Sequence, residues 1–162
     1  MAKAKAKMKA GRSASTTRRR SSAKRPALAA KPKRRPAQSF TVSHHRDEDF
    51  RGDGLRAYAQ YRDLGLNQAT HGMVQAHVIR LVPPCRPEEV SKRHYHDVDF
   101  QMVYVLKGWM KTELEGQGAH VMRPGSAWLQ PPMIKHKVLD YSDDCEVLEV
   151  ILPADFETTE LE

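Results

Sequence analysis

From Gly72 onward the chain is cut into short segments, and no segment is long enough for a helix of ordinary length. Residues 73–82 (MVQAHVIRLV) are rich in β-branched side chains and stop at Pro83-Pro84. Residues 100–106 (FQMVYVL) form a strong strand that ends at Lys107-Gly108. Residues 109–115 alternate, with Met110, Thr112 and Leu114 opposed to Trp109, Lys111, Glu113 and Glu115. Gly116-Gln117-Gly118 reads as a hairpin turn, residues 119–122 return, and Pro124-Gly125 turns again. Short strands follow at 126–130, 136–141 and 145–152, the last two joined by Ser142-Asp143-Asp144. Many short strands with closely spaced turns predict an all-β sandwich or small antiparallel barrel. Residues 55–61 (LRAYAQY) fit a short helix and a strand equally well.

The net charge of +7 describes no part of the molecule. Residues 1–39 hold 14 of the 27 Lys and Arg and none of the 20 Asp and Glu. The remaining 123 residues carry a net −7. The basic segment has almost no apolar bulk to offset its ordering entropy, so it is expected to be a disordered tail. Its charge fits salt-sensitive contact with nucleic acid or another polyanion, an organelle-targeting segment, or a solubilising extension. No aromatic residue interleaves with the charges, so stacking on bases is not expected. We divide the chain into this tail (1–39), a segment that covers or extends the barrel (40–72) and the barrel itself (73–162). Two cysteines, Cys85 and Cys145, are too few for a disulfide framework. No apolar run reaches membrane-spanning length and no signal peptide is visible, so a cytoplasmic protein is expected.

Three of the eight histidines carry the functional signal. His94 and His96 are two apart, so on a strand they point to one side. Gln101 opens the next strand, on one face with Val103 and Val105. His136 follows Pro131-Pro132 far along the chain. Three imidazoles and an amide oxygen, converging inside a barrel, suit one borderline divalent ion: Fe, Mn, Ni, Co or Zn. The other histidines read differently: His44 and His45 as solvated, His71 as a turn residue, His77 and His120 as hydrogen-bonded strand residues. Trp109, Tyr104 and Trp128 read as packing aromatics, and Trp128 shares a strand face with Gln130. There is no nucleophile elbow, phosphate-cradling glycine loop or paired carboxylate in the expected pocket.

At these residues the chain resembles the cupin superfamily. The first motif of that family, G-x5-H-x-H-x(3,4)-E-x6-G, is matched in spacing by His94-Tyr95-His96, Gln101 and Gly108. The second, G-x5-P-x-G-x2-H-x3-N, is matched in register by Gly125, Pro131, Met133, His136 and Asp140. The resemblance covers about residues 73–152. It implies a jelly-roll barrel and one metal bound by His94, His96, Gln101 and His136. Glu88 stands where the first glycine is expected, Met133 replaces the second-motif glycine, and Asp140 replaces its asparagine. Gln101 replaces the ligand glutamate, so three neutral His and an amide leave the ion's charge unbalanced and favour an anionic ligand.

The function this implies is a mononuclear-metal cupin that binds or transforms a small organic molecule, as a dioxygenase, isomerase or lyase. The alternative is a non-enzymatic ligand-binding or sensing module with a polyanion-binding tail. A homodimer is expected from the family and from the β-branched edge at 73–82.

Overall fold

A computed structural model describes residues 36–161 except Leu55. The tail lies almost wholly outside these residues. Ten strands follow in chain order: β1 (Ala59–Asp63), β2 (Gln75–Leu81), β3 (His94–Asp97), β4 (Phe100–Lys107), β5 (Met110–Leu114), β6 (Gly118–Met122), β7 (Ala127–Leu129), β8 (His136–Tyr141), β9 (Glu146–Leu152) and β10 (Glu157–Glu160). Two single-turn helices interrupt them, α1 (Leu66–Ala69) and α2 (Pro87–Val90). The strands form two five-stranded sheets, β1-β2-β9-β4-β7 and β10-β3-β8-β5-β6, with every pairing antiparallel. This is a jelly-roll of the expected all-β class.

Alternation decides what the sheets enclose. On β4 the buried residues are Gln101, Val103 and Val105, and on β5 they are Met110, Thr112 and Leu114. Across the β4–β9 ladder Gln101 lies opposite Ile151, Val103 opposite Glu149 and Val105 opposite Val147. Val103, Val105, Met110, Tyr141, Cys145 and Val147 close one core. The other part of the interior, nearer β1 and β3, stays open as a cavity of about 540 Å³.

Residues 55–61 resolve toward the strand alternative, which begins at Ala59. β1 pairs along its whole length with His77–Leu81 of β2, with Tyr61 opposite Ile79. The edge at 73–82 that motivated a dimer is therefore filled by the chain itself, and β2 lies between β1 and β9. On the outer face Phe50 is buried under Arg80, whose guanidinium carbon lies 3.8 Å from the ring centre. Glu88, where the family has glycine, sits in α2. Pro87 opens that turn at a position that needs no backbone N–H, so the chain turns helically without glycine.

Gly108 ends β4 with φ +63. A Cβ there would clash with Ser142 Oγ and lie 2.6 Å from Asp144 Oδ1 and 2.9 Å from the Cys145 Cα. The β4–β5 turn is thus pressed onto the β8–β9 turn, where Trp109 N donates to Ser142 Oγ at 2.8 Å. Gly116 has a similar φ, +74, but open space around it. Gly108→Ala should cost about 2–4 kcal/mol, strain plus clash, and Gly116→Ala about 1 kcal/mol. Urea midpoints of the two variants check this, and equal losses would contradict the close approach.

Candidate metal centre

The register of β3 brings the histidines together. His94 is the direct cross-strand partner of His136 on β8, and their ring centres lie 4.3 Å apart. His96, two residues along the same face, lies 5.1 Å from His94 and 5.2 Å from His136. One nitrogen of each ring comes within 4.8 Å of the others, and all three residues are buried. The loop before His136 is tied to β3 by Met133, whose N–H donates to the His96 carbonyl at 3.0 Å. Met133 has φ +63, so the residue that stands in place of the family glycine sits in the left-handed region, where a side chain adds strain.

Each ring has its Nδ1 occupied. His94 Nδ1 lies 2.8 Å from the Lys92 carbonyl and His136 Nδ1 2.9 Å from the Ile134 carbonyl. A carbonyl only accepts, so these nitrogens carry the protons and Nε2 keeps its lone pair. His96 Nδ1 lies 2.8 Å from Thr158 Oγ1, which β10 places beside it in register. Outer partners of this kind fix both the tautomer and the ring orientation of metal-binding histidines. The donor set therefore fits a divalent ion.

Burial holds the rings neutral. It lowers His94 to about 4, and the nearby His136 adds to the shift. His96 is lowered to about 4 by the same two causes. His136 is lowered by burial.

Gln101, expected as the fourth ligand, is 2% exposed on the facing sheet. Its Nε2 donates to Glu149 Oε1 at 2.6 Å. Glu149 also takes a hydrogen bond from His77 Nε2 at 2.7 Å, and both residues line the cavity with the three His. Burial alone would raise Glu149, but the His77 contact and the Gln101 hydrogen bond outweigh it and hold the carboxyl below its ordinary range. The sequence reading did not count this carboxylate, which supplies negative charge one residue beyond the amide. Gln130 was also missed as a site residue: its Nε2 lies 3.1 Å from His136 Nε2, and its Oε1 accepts from Trp128 Nε1 at 3.0 Å. Trp128 packs against the core and lines the cavity. Phe156 closes on His96 edge-on at 5.5 Å.

The remaining histidines lie away from the cluster. His44 and His45 are exposed. His71 has a turn φ of 54 and donates to the Ala37 carbonyl at 2.9 Å. His120 is exposed on β6 and donates to the Gln117 carbonyl.

Residues 85–151 match a family model described as Cupin domain. The fold is similar to that of KdgF from Halomonas sp., with a TM-score of 0.54 at 23% identity, covering 71% of this chain and 94% of that one. It is similar to the polyketide cyclase RemF from Streptomyces resistomycificus, with a TM-score of 0.58 at 18% identity, covering 75% and 86%. It is also similar to a salicylate 1,2-dioxygenase from Pseudaminobacter salicylatoxidans, with a TM-score of 0.53 at 8% identity, covering 65% and 31%. No curated protein matches the chain. Residues 85–151 thus match the cupin domain, set in a jelly-roll fold that the solved structures share. A cyclase and a dioxygenase share this fold, so the fold does not select the reaction.

The neutral buried rings give a pH dependence of known sign. Unfolded imidazoles protonate near pH 6.5, while His94 and His96 resist until about 4. Between these values the unfolded state binds more protons, so stability falls as pH falls. Metal-free protein should melt progressively lower from pH 6.5 to 4.5, and His94→Gln with His96→Gln should flatten that slope. Calorimetry at a series of pH values measures it, and a level Tm across the window would contradict neutral burial.

Proposed function

We propose that the protein is a mononuclear divalent-metal cupin that binds and transforms a small organic molecule in the cavity between its sheets. The observation that carries this reading is the convergence of three neutral, Nδ1-anchored imidazoles on one cavity wall. His94, His96 and His136 would hold the ion through Nε2, and Gln101 would be the weaker fourth ligand. With Gln101 Nε2 committed to Glu149, the amide oxygen is the atom left for coordination. A bound divalent ion would supply Lewis-acid polarisation of an oxygen on the organic molecule.

The chain's own residues would do the rest. Trp128, Tyr58 and Phe156 offer the apolar wall against which the molecule's body packs. Glu149 would offset charge at the ion and hold Gln101 in place. Gln130, fixed by Trp128, would give up its hydrogen bond to His136 when the ion takes that lone pair.

Metal analysis of the protein as isolated should find about one divalent ion per chain. His96→Ala should lower retained metal at least about tenfold while the domain stays folded. Gln101→Glu should retain more metal after matched chelator dialysis, because a carboxylate balances more of the ion's charge. No bound metal in wild type, or no loss in His96→Ala, would overturn the proposal. Equal or lower retention by Gln101→Glu would remove Gln101 from the ligand set.

A further inference from the structure

Arg56 is the one cationic side chain of the cavity that is both buried and incompletely bonded. It is 9% exposed and lines the same cavity as the three His. Its Nη1 donates to Glu160 Oε1. Glu160 lies on β10 directly opposite His94 on β3, so the ion pair anchors the guanidinium beside the histidine cluster. Its Nη2 is buried and has no hydrogen-bond partner. Among the described residues only one other buried side-chain nitrogen shares that condition, Arg62 Nε, and Arg62 does not line the cavity.

A buried guanidinium N–H without a hydrogen-bond partner is costly, because it has lost its water and gained nothing in return. Glu160 holds the guanidinium there, and Arg56 lines a chamber large enough for a small organic molecule, so a modest turn of the side chain brings the covered Nη2 to a ligand oxygen. A ligand oxygen, above all a charged one, would satisfy it with a charge-assisted hydrogen bond. The surroundings also set how much charge the ligand can bring. Asp49, Asp53, Asp63 and Glu149 line the chamber as well, against Arg51 and Arg56 as its only guanidinium groups, and the single charge of Arg56 is already paired with Glu160. A dianion such as a phosphate ester would meet this acidic rim with no comparable cluster of cations. A monoanion with an apolar body meets one free donor and the wall of Trp128, Tyr58 and Phe156.

We infer that Arg56 Nη2 is the anchor for the ligand's anionic group, and that the ligand is a small monocarboxylate with an apolar body. This rests on the reading of the cavity as the ligand chamber, but it needs no metal. The carboxylate binds at Arg56, leaving the rest of the molecule to extend along the apolar wall past the histidines. Arg56 is therefore a specificity-determining residue.

The test is titration of metal-free full-length protein with benzoate and hexanoate against benzamide and hexanamide, followed by NMR. Each carboxylate should bind at least about tenfold tighter than its matched amide. Arg56→Gln should abolish that preference and leave amide affinity within about twofold. Arg56→Lys, which keeps the charge should Arg56→Gln fold poorly, should retain part of it. Glu160→Gln should keep the preference, because Nη2 remains. Equal affinity for carboxylate and amide in wild type, or a preference that survives Arg56→Gln, would overturn the inference. Tighter binding of phenyl phosphate than of benzoate would overturn the monocarboxylate assignment. A parallel series with added Zn²⁺ separates the two readings. Arg56-dependent preference without metal retention supports the anchor and sinks the metal proposal, and retention without the preference does the reverse.

Discussion

Three imidazoles can share one buried wall only if none is charged and each has its second nitrogen satisfied. The structure meets both conditions through groups that the strands already place, two backbone carbonyls and one threonine hydroxyl. The carbonyls of Lys92 and Ile134, each two residues before its own histidine, take the Nδ1 protons of His94 and His136. His96 relies on Thr158, which reaches it only because β10 pairs with β3. The β3–β8 register sets His94 against His136, and Met133 fastens the loop that delivers it. A one-residue slip in any of these pairings would turn a ring to the other face of its sheet.

The two sheets divide the chemistry. β3 and β8 carry the imidazoles, while β2, β4 and β9 carry His77, Gln101 and Glu149 as a hydrogen-bonded chain. The carboxylate that the Gln101 substitution removes from the expected ligand position reappears on β9, where two donors hold it ionised. Arg56 adds the one positive group of the chamber with a free buried donor. Its charge also helps to keep all three histidines neutral. No helix among the described residues is long and apolar enough to cross a membrane.

Much of this was legible in the sequence, for reasons that also explain the rest. Most strands from β2 to β9 announce themselves by β-branched or alternating runs and by turn residues at their ends, and His94, His96 and His136 stand at spacings a strand pair can bring together. β10 reads ETTE, with no apolar alternation, so the strand that holds His96 and Arg56 carries no signal of its own. β1 begins inside a run that fits two structures. Glu149 and His77 are 72 residues apart and each looks like an ordinary polar position on a strand. Arg56 and Glu160 are separated by 104 residues. Such pairs exist only once the sheets have formed, because register and not spacing creates them. Glu88 and Met133 were visible as departures from the family pattern. Their outcomes, a helical turn and a strained left-handed residue, depend on local backbone geometry that the motif does not encode.

The central claim is that the three histidines are set, before any ion arrives, as neutral imidazoles, with the proton of His94 and His136 on Nδ1 and the lone pair on Nε2. Long-range ¹H–¹⁵N NMR correlation of metal-free protein at pH 7 reads this tautomer directly for each ring. The account predicts neutral rings at all three, with the Nδ1–H form at His94 and His136. An imidazolium, or the Nε2–H form at His94 or His136, would contradict it.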